Sequence, residues 1–210
     1  MDKRLEQILA PAFGPCDAFS STCASMRWSP ESGHVPRGFS GASNLSKVQL
    51  ILVNAEPGDP LADESYPCPS PRHAEAVATE FLKTGQTRFH RNLRLLLDLC
   101  FPGKDFEAQH ERVWITNAVI CSAEKLGGSV PRACEELCFQ KYLSKQLDLF
   151  PNAFVIALGE KAVRRIKRGS VKPFNAFHPS ARVSNEERRN SYESAAREFR
   201  KSIGDNLNLG

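Results

Sequence analysis

The sequence predicts an α/β fold of three layers, helices on both sides of a central sheet of four parallel strands. Two observations carry that reading. Four short apolar runs, VQLILVN at 48–54, VWIT at 113–116, FVIAL at 154–158 and FNAF at 174–177, have strand length and composition. The first and third are continuous rather than alternating, as in strands covered on both faces. Helix-period patterns lie between them at 72–83, 90–100, 132–148 and 160–167. Strands alternating with helices make a parallel sheet packed on both sides. The 210 residues fit one such domain, and the reading takes 1–210 as a single unit.

Residues 2–10 read as a short amphipathic helix stopped by Pro11 and Gly14. Residues 14–46 hold Cys16, Cys23, Pro30, Gly33, Pro36, Gly38 and Gly41. They read as an irregular wrap with little regular structure, which a metal site would tie to the body. The last helix is expected at 186–203. Hydrophobic residues at 41% exclude disorder over the whole length. No apolar run approaches the roughly 18 to 20 residues that span a bilayer, so no membrane partner is expected. The opening MDKRLEQILA has no apolar core and does not read as a secretion signal. A cytoplasmic, monomeric protein is the expectation.

The net charge of +4 is mild, but 161–201 carries 12 Lys/Arg against 4 Glu. Such a stretch on one face would bind phosphate; a solvated helix face with i,i+4 pairs accounts for it equally. Seven cysteines without an export signal point to metal ligation, redox chemistry or burial rather than disulfides.

Ligands of open parallel sheets bind beyond the carboxyl ends of the strands. There the sequence places Asn54-Ala55-Glu56-Pro57-Gly58, Asn117, Leu158-Gly159 and His178-Pro179-Ser180. In this order these segments resemble the motifs of the uracil-DNA glycosylase superfamily over roughly 48–182. The resemblance implies that superfamily's fold. It also implies a monofunctional enzyme that flips uracil out of single- or double-stranded DNA and hydrolyses its N-glycosidic bond, the first step of base excision repair at the bacterial nucleoid. The alternative is a catalytically weak binder of abasic or damaged DNA.

The resemblance also implies roles. Asn117 would read the uracil edge, since an amide offers a donor and an acceptor together. His178 would donate to uracil O2 as negative charge grows there. Phe89, in a Thr-Gly-Gln-Thr-Arg-Phe stretch, would stack on the base, with Tyr66 as the alternative ring. Ala55 would touch the base. Pro57, Gly58, Ser180, Lys161 and Arg182 would contact DNA, Arg182 where several branches carry a wedge. Glu56 would orient or activate water, with Asp59 as the fallback. The first motif departs from the family: its usual Gly is Asn54, and the acid that the iron–sulfur branch has second is replaced by Ala55.

Cys121 and Cys138 match the spacing of that branch's downstream cluster ligands. Cys16 and Cys23 would complete a structural [4Fe-4S] set, although the family's upstream pair is C-x2-C and this one is C-x6-C. Zinc at the same sites is the other option. Cys134 could replace Cys138, and Cys68 and Cys100 look spare. Some relatives trap DNA through a His in a K-R-R-I-H loop; the corresponding SAEKLGGSVPR at 122–132 has none, so turnover without a stable covalent adduct is expected.

Overall fold

The computed structural model describes residues 1–61, 64–123, 129–167 and 169–207. The strands are β1 (Met26–Arg27), β2 (Ser40–Gly41), β3 (Leu50–Asn54), β4 (Val113–Asn117), β5 (Ser122–Ala123), β6 (Phe154–Leu158) and β7 (Phe174–Ala176). The helices are α1 (Lys3–Leu9), α2 (Pro71–Thr84), α3 (Arg88–Cys100), α4 (Phe106–His110), α5 (Arg132–Cys138), α6 (Ser144–Asp148), α7 (Glu160–Ile166) and α8 (Asn185–Leu207).

The main sheet has the order β2-β4-β3-β6-β7. Strands β4, β3, β6 and β7 are parallel, as their apolar runs predict. The expected four-stranded parallel sheet is nevertheless corrected to a mixed sheet of five strands, because β2 adds to β4 antiparallel. Two residues cannot display a period, so this edge strand leaves no pattern in the sequence. It does leave a glycine: Gly41 has φ +104°, and a Cβ there would lie 2.2 Å from the Val113 carbonyl oxygen.

Alternation along the strands sends side chains to two cores. Ile51, Val53, Trp114, Val155 and Ala157 pack on one side, with Leu5 and Leu9 of α1 and Ala162 and Ile166 of α7. Leu50, Leu52, Val113, Ile115, Ile156 and Leu158 pack on the other. That second core is closed by Leu93, Leu96, Leu97 and Cys100 of α3 and by Tyr192, Ala195, Ala196 and Phe199 of α8. Both quartets follow i, i+3, i+4, i+7, the spacing of one buried helical stripe.

The wrap at 14–46 is more ordered than expected. Besides β2 it contributes β1, which pairs antiparallel with β5. Phe39 packs beside Trp114, and Phe13 meets both Phe39 and Trp28 edge-on. Aromatic burial and short strand pairings therefore hold this segment to the body. The helix expected at 132–148 is found over that span, with a π turn at Phe139–Leu143 between α5 and α6.

Candidate functional site

A cavity of about 560 Å³ opens at the carboxyl ends of β3, β4, β6 and β7, within the size range of small-molecule sites. Glu56, Asn117 and His178 all line it. So do Ala55, Pro57, Gly58 and Asp59, together with Tyr66, Phe89, Lys161 and Ser180. Arg182 is exposed and is not among the wall residues.

Strand register explains the centre of the site. Asn54 and Asn117 are partners at the ends of neighbouring parallel strands, so their side chains stand side by side. Asn54 Nδ2 donates to Asn117 Oδ1 at 3.1 Å and to the Glu56 carbonyl at 2.8 Å. Asn117 Nδ2 donates to the Arg37 carbonyl at 2.8 Å. His178 arrives from the turn after β7. Gly159, with φ +92°, lets β6 turn into α7 against it, and a Cβ there would lie 3.2 Å from His178 Cβ.

The histidine's partners define its tautomer. His178 Nδ1 accepts from the Ser180 N–H at 3.1 Å, so the neutral ring carries its proton on Nε2. Nε2 lies 3.0 Å from Asn54 Oδ1 and donates to it. Burial is the main cause that lowers the His178 pKa from 6.5; Lys161 adds to the fall and Glu56 opposes it. The ring is thus a neutral donor at neutral pH. Phe89 lies beside it, ring centroids 5.6 Å apart. Asn92 of α3 holds the same turn by donating to the Pro179 carbonyl at 2.6 Å.

Two buried arginines clamp the loop after β3. Arg165 donates to the Ala55 carbonyl at 2.6 Å and pairs with Glu135 at 2.8 Å and with Glu56. Lys161 stands 3.4 Å from the other Glu56 oxygen. On the far side Arg37 donates to the Gly58 carbonyl and to Ser122 Oγ, the latter at 2.5 Å, and pairs with Glu64 at 3.2 Å. Glu64 also accepts from the Tyr66 hydroxyl at 2.6 Å, which orients that ring. Asp59 is exposed.

Asn54, Arg37 and Arg165 escape the sequence reading. Arg165 and Arg188 sit inside the basic stretch but are 2% exposed. They are structural cations, Arg188 donating to the Ala181 carbonyl at 2.6 Å. The only sequence signal for Asn54 is its departure from the motif.

The family model described as the uracil DNA glycosylase superfamily matches residues 69–200. The chain belongs to that superfamily. Membership implies hydrolysis of N-glycosidic bonds, with DNA as the substrate. The matched span takes in Phe89, Asn117 and His178 and begins after the first motif at 54–58. No curated protein matches the chain. Among the described residues, no helix is long and apolar enough to cross a membrane.

The cysteines of this glycosylase-family chain divide by sheet face. Cys100 lies in the α3/α8 core and Cys68 is exposed. On the other face Cys23, Cys134, Cys138 and Cys121 lie near one another in the core, successive thiols influencing each other in that order, with Cys16 near Cys23. Cys134 lies between Cys23 and Cys138 in that order. Burial and its thiol neighbours push Cys23 up to about 12, so this thiol stays protonated at neutral pH. Among the described residues, no three His, Cys, Asp or Glu side chains are placed to hold a metal ion. Cys16 and Cys23 come from the wrap, Cys121 from the turn between β4 and β5, and Cys134 and Cys138 from α5. Residues 124–128 of the loop without histidine lie outside the described residues.

Proposed function

We propose that this protein is a monofunctional DNA glycosylase that releases uracil from DNA by base flipping and leaves an abasic site. The observation that carries this reading is the meeting of Asn117, His178 and Glu56 in one cavity beside the half-buried Phe89 ring. The chemistry divides among them. An everted base stacks on Phe89, with Ala55 and Tyr66 in the surrounding wall. Asn117 reads the imide edge, and a cytosine, lacking N3–H, would leave its oxygen unpaired, which is costly in a dry site. Neutral His178 donates from Nε2 to the O2 of the departing base, where charge develops.

Glu56 holds the attacking water and offsets positive charge on the sugar. Its two cations keep the carboxylate fixed in place, a condition for orientation in the transition state. Asp59, exposed at the mouth, is the second candidate for that water. Pro57, Gly58, Ser180, Lys161 and Arg182 face the DNA strand. Cys16, Cys23, Cys121 and Cys138, with Cys134 between them, would hold a [4Fe-4S] cluster. That cluster would be structural, fastening the wrap beneath the site and supplying no electrons.

The test uses uracil-containing single- and double-stranded oligonucleotides followed by alkaline cleavage of abasic sites. Strand scission is expected, with His178→Ala and Asn117→Ala each at least about tenfold slower. No scission at any enzyme excess would end the reading. One observation favours a second reading, a weak catalyst that binds abasic or damaged DNA: both Asn117 and His178 are already bonded to Asn54. Tight, salt-sensitive binding of abasic DNA without base release would select it.

A further inference from the structure

Asn54 makes the contacts that a base would make. Uracil offers a carbonyl (O2) next to an N–H (N3). In the glycosylase reading, on which this inference rests, the first takes a hydrogen bond from His178 and the second gives one to Asn117. The Asn54 carboxamide is also a carbonyl beside an N–H. Its Oδ1 accepts from His178 Nε2 at 3.0 Å, and its Nδ2 donates to Asn117 Oδ1 at 3.1 Å. The third reading atom, Asn117 Nδ2, is engaged by the Arg37 carbonyl. Every reading group therefore has a partner within the protein itself.

We propose that the Asn54 side chain is a built-in stand-in for the base edge, which an incoming base must displace. Three features make the occupancy firm. The strand register holds Asn54 and Asn117 abreast. The second Asn54 N–H is tied to the Glu56 carbonyl at 2.8 Å, which fixes which way round the amide sits. Asn54 and Asn117 are 8% and 1% exposed, so little of either side chain is open to competing solvent. A base that enters must break the Asn54 contacts before making its own. The displacement lowers the affinity for any ligand that uses His178 Nε2 and Asn117 Oδ1, without touching the transition state more than the ground state. Asn54 thus sets KM rather than kcat.

Removing the side chain should release the readers. In Asn54→Ala, the Kd of free uracil measured by calorimetry is expected to tighten about tenfold or more, the worth of one or two net hydrogen bonds. On uracil-containing oligonucleotides KM should fall by a similar factor with kcat little changed. A purely positioning role for Asn54, holding His178 in place, gives the opposite split: kcat falls and Kd does not tighten. That result overturns the proposal. Asn54→Gly serves if the alanine variant does not fold. In the wild-type protein, the Asn54 side-chain amide resonances should shift strongly on saturation with uracil, and their indifference would also overturn it. The two levels separate cleanly. Strand scission with an unchanged Kd in the variant defeats this inference and leaves the glycosylase reading. A tightened Kd with no scission in either protein does the reverse. Failure of both proteins to bind uracil defeats the stand-in.

Discussion

Replacing Arg37 by methionine tests the clamp on the motif loop. The guanidinium and the Glu64 carboxylate are 6% and 7% exposed and 3.2 Å apart. Methionine has a similar length, so the change removes the charge while leaving the carboxylate inside. Breaking a buried pair in this way costs about 3–5 kcal/mol. In a domain of this size each kcal/mol moves Tm by about 2–4 °C, so a fall of roughly 6–20 °C is expected. Glu64 keeps its bonds from the Tyr66 hydroxyl and the Leu61 N–H, which favours the lower part of that range. The double change Arg37→Met with Glu64→Gln removes both charges and preserves an acceptor for those donors. It should melt above the single variant, and the cycle gives the coupling. Calorimetric melts of the four proteins supply the numbers. A single variant within about 2 °C of wild type, or a double variant whose loss is the sum of the two singles, would refute the assignment of Arg37 as a buried, charge-paired clamp.

Three further outcomes follow from the same physics. Gln146, fully buried, accepts from Trp114 Nε1 at 2.9 Å and Thr116 Oγ1 at 2.8 Å; Gln146→Leu strands both donors and should cost about 2–6 kcal/mol in a urea titration. Burial lowers His90 from 6.5 to about 4. Unfolded His90 therefore gains a proton near 6.5 and folded His90 only near 4, so stability falls as pH drops between those values and levels off below them. His90→Asn should lose less Tm than wild type over that interval, and an equal loss would remove His90 from the account. Finally, iron and acid-labile sulfide should co-purify with the protein in a Cys68→Ser variant and be lost in Cys121→Ser; retention in both would end the cluster proposal.

The parts of this fold that were legible in the sequence are those whose signal is repetitive. Leu50–Asn54 and Phe154–Leu158 are continuous apolar runs because both faces are buried, and the stripes of α3 and α8 recur every turn. The two-residue strands cannot show a period, and α4 offers only five residues. Charge is legible only as a count. Arg37 and Arg165 look like surface cations until the carbonyls and carboxylates around them are known, because their burial depends on chain segments far away in sequence. The strand-end motifs led to Asn117 and His178, which share the cavity. Asn54 was read as a motif departure, since nothing local says that its amide will bridge two residues that lie 63 and 124 positions away.

Strand order also bears on how this molecule can be divided. The span that matches the superfamily begins at residue 69, yet β3, the middle strand of the sheet, lies upstream of it. A fragment trimmed to 69–200 would leave β4 and β6 with no neighbour between them. Their unpaired backbone edges would then be free to recruit other chains. Proteolytic dissection or fusion to a reporter should therefore keep the first 68 residues, because cooperative folding starts well before the recognisable homology does.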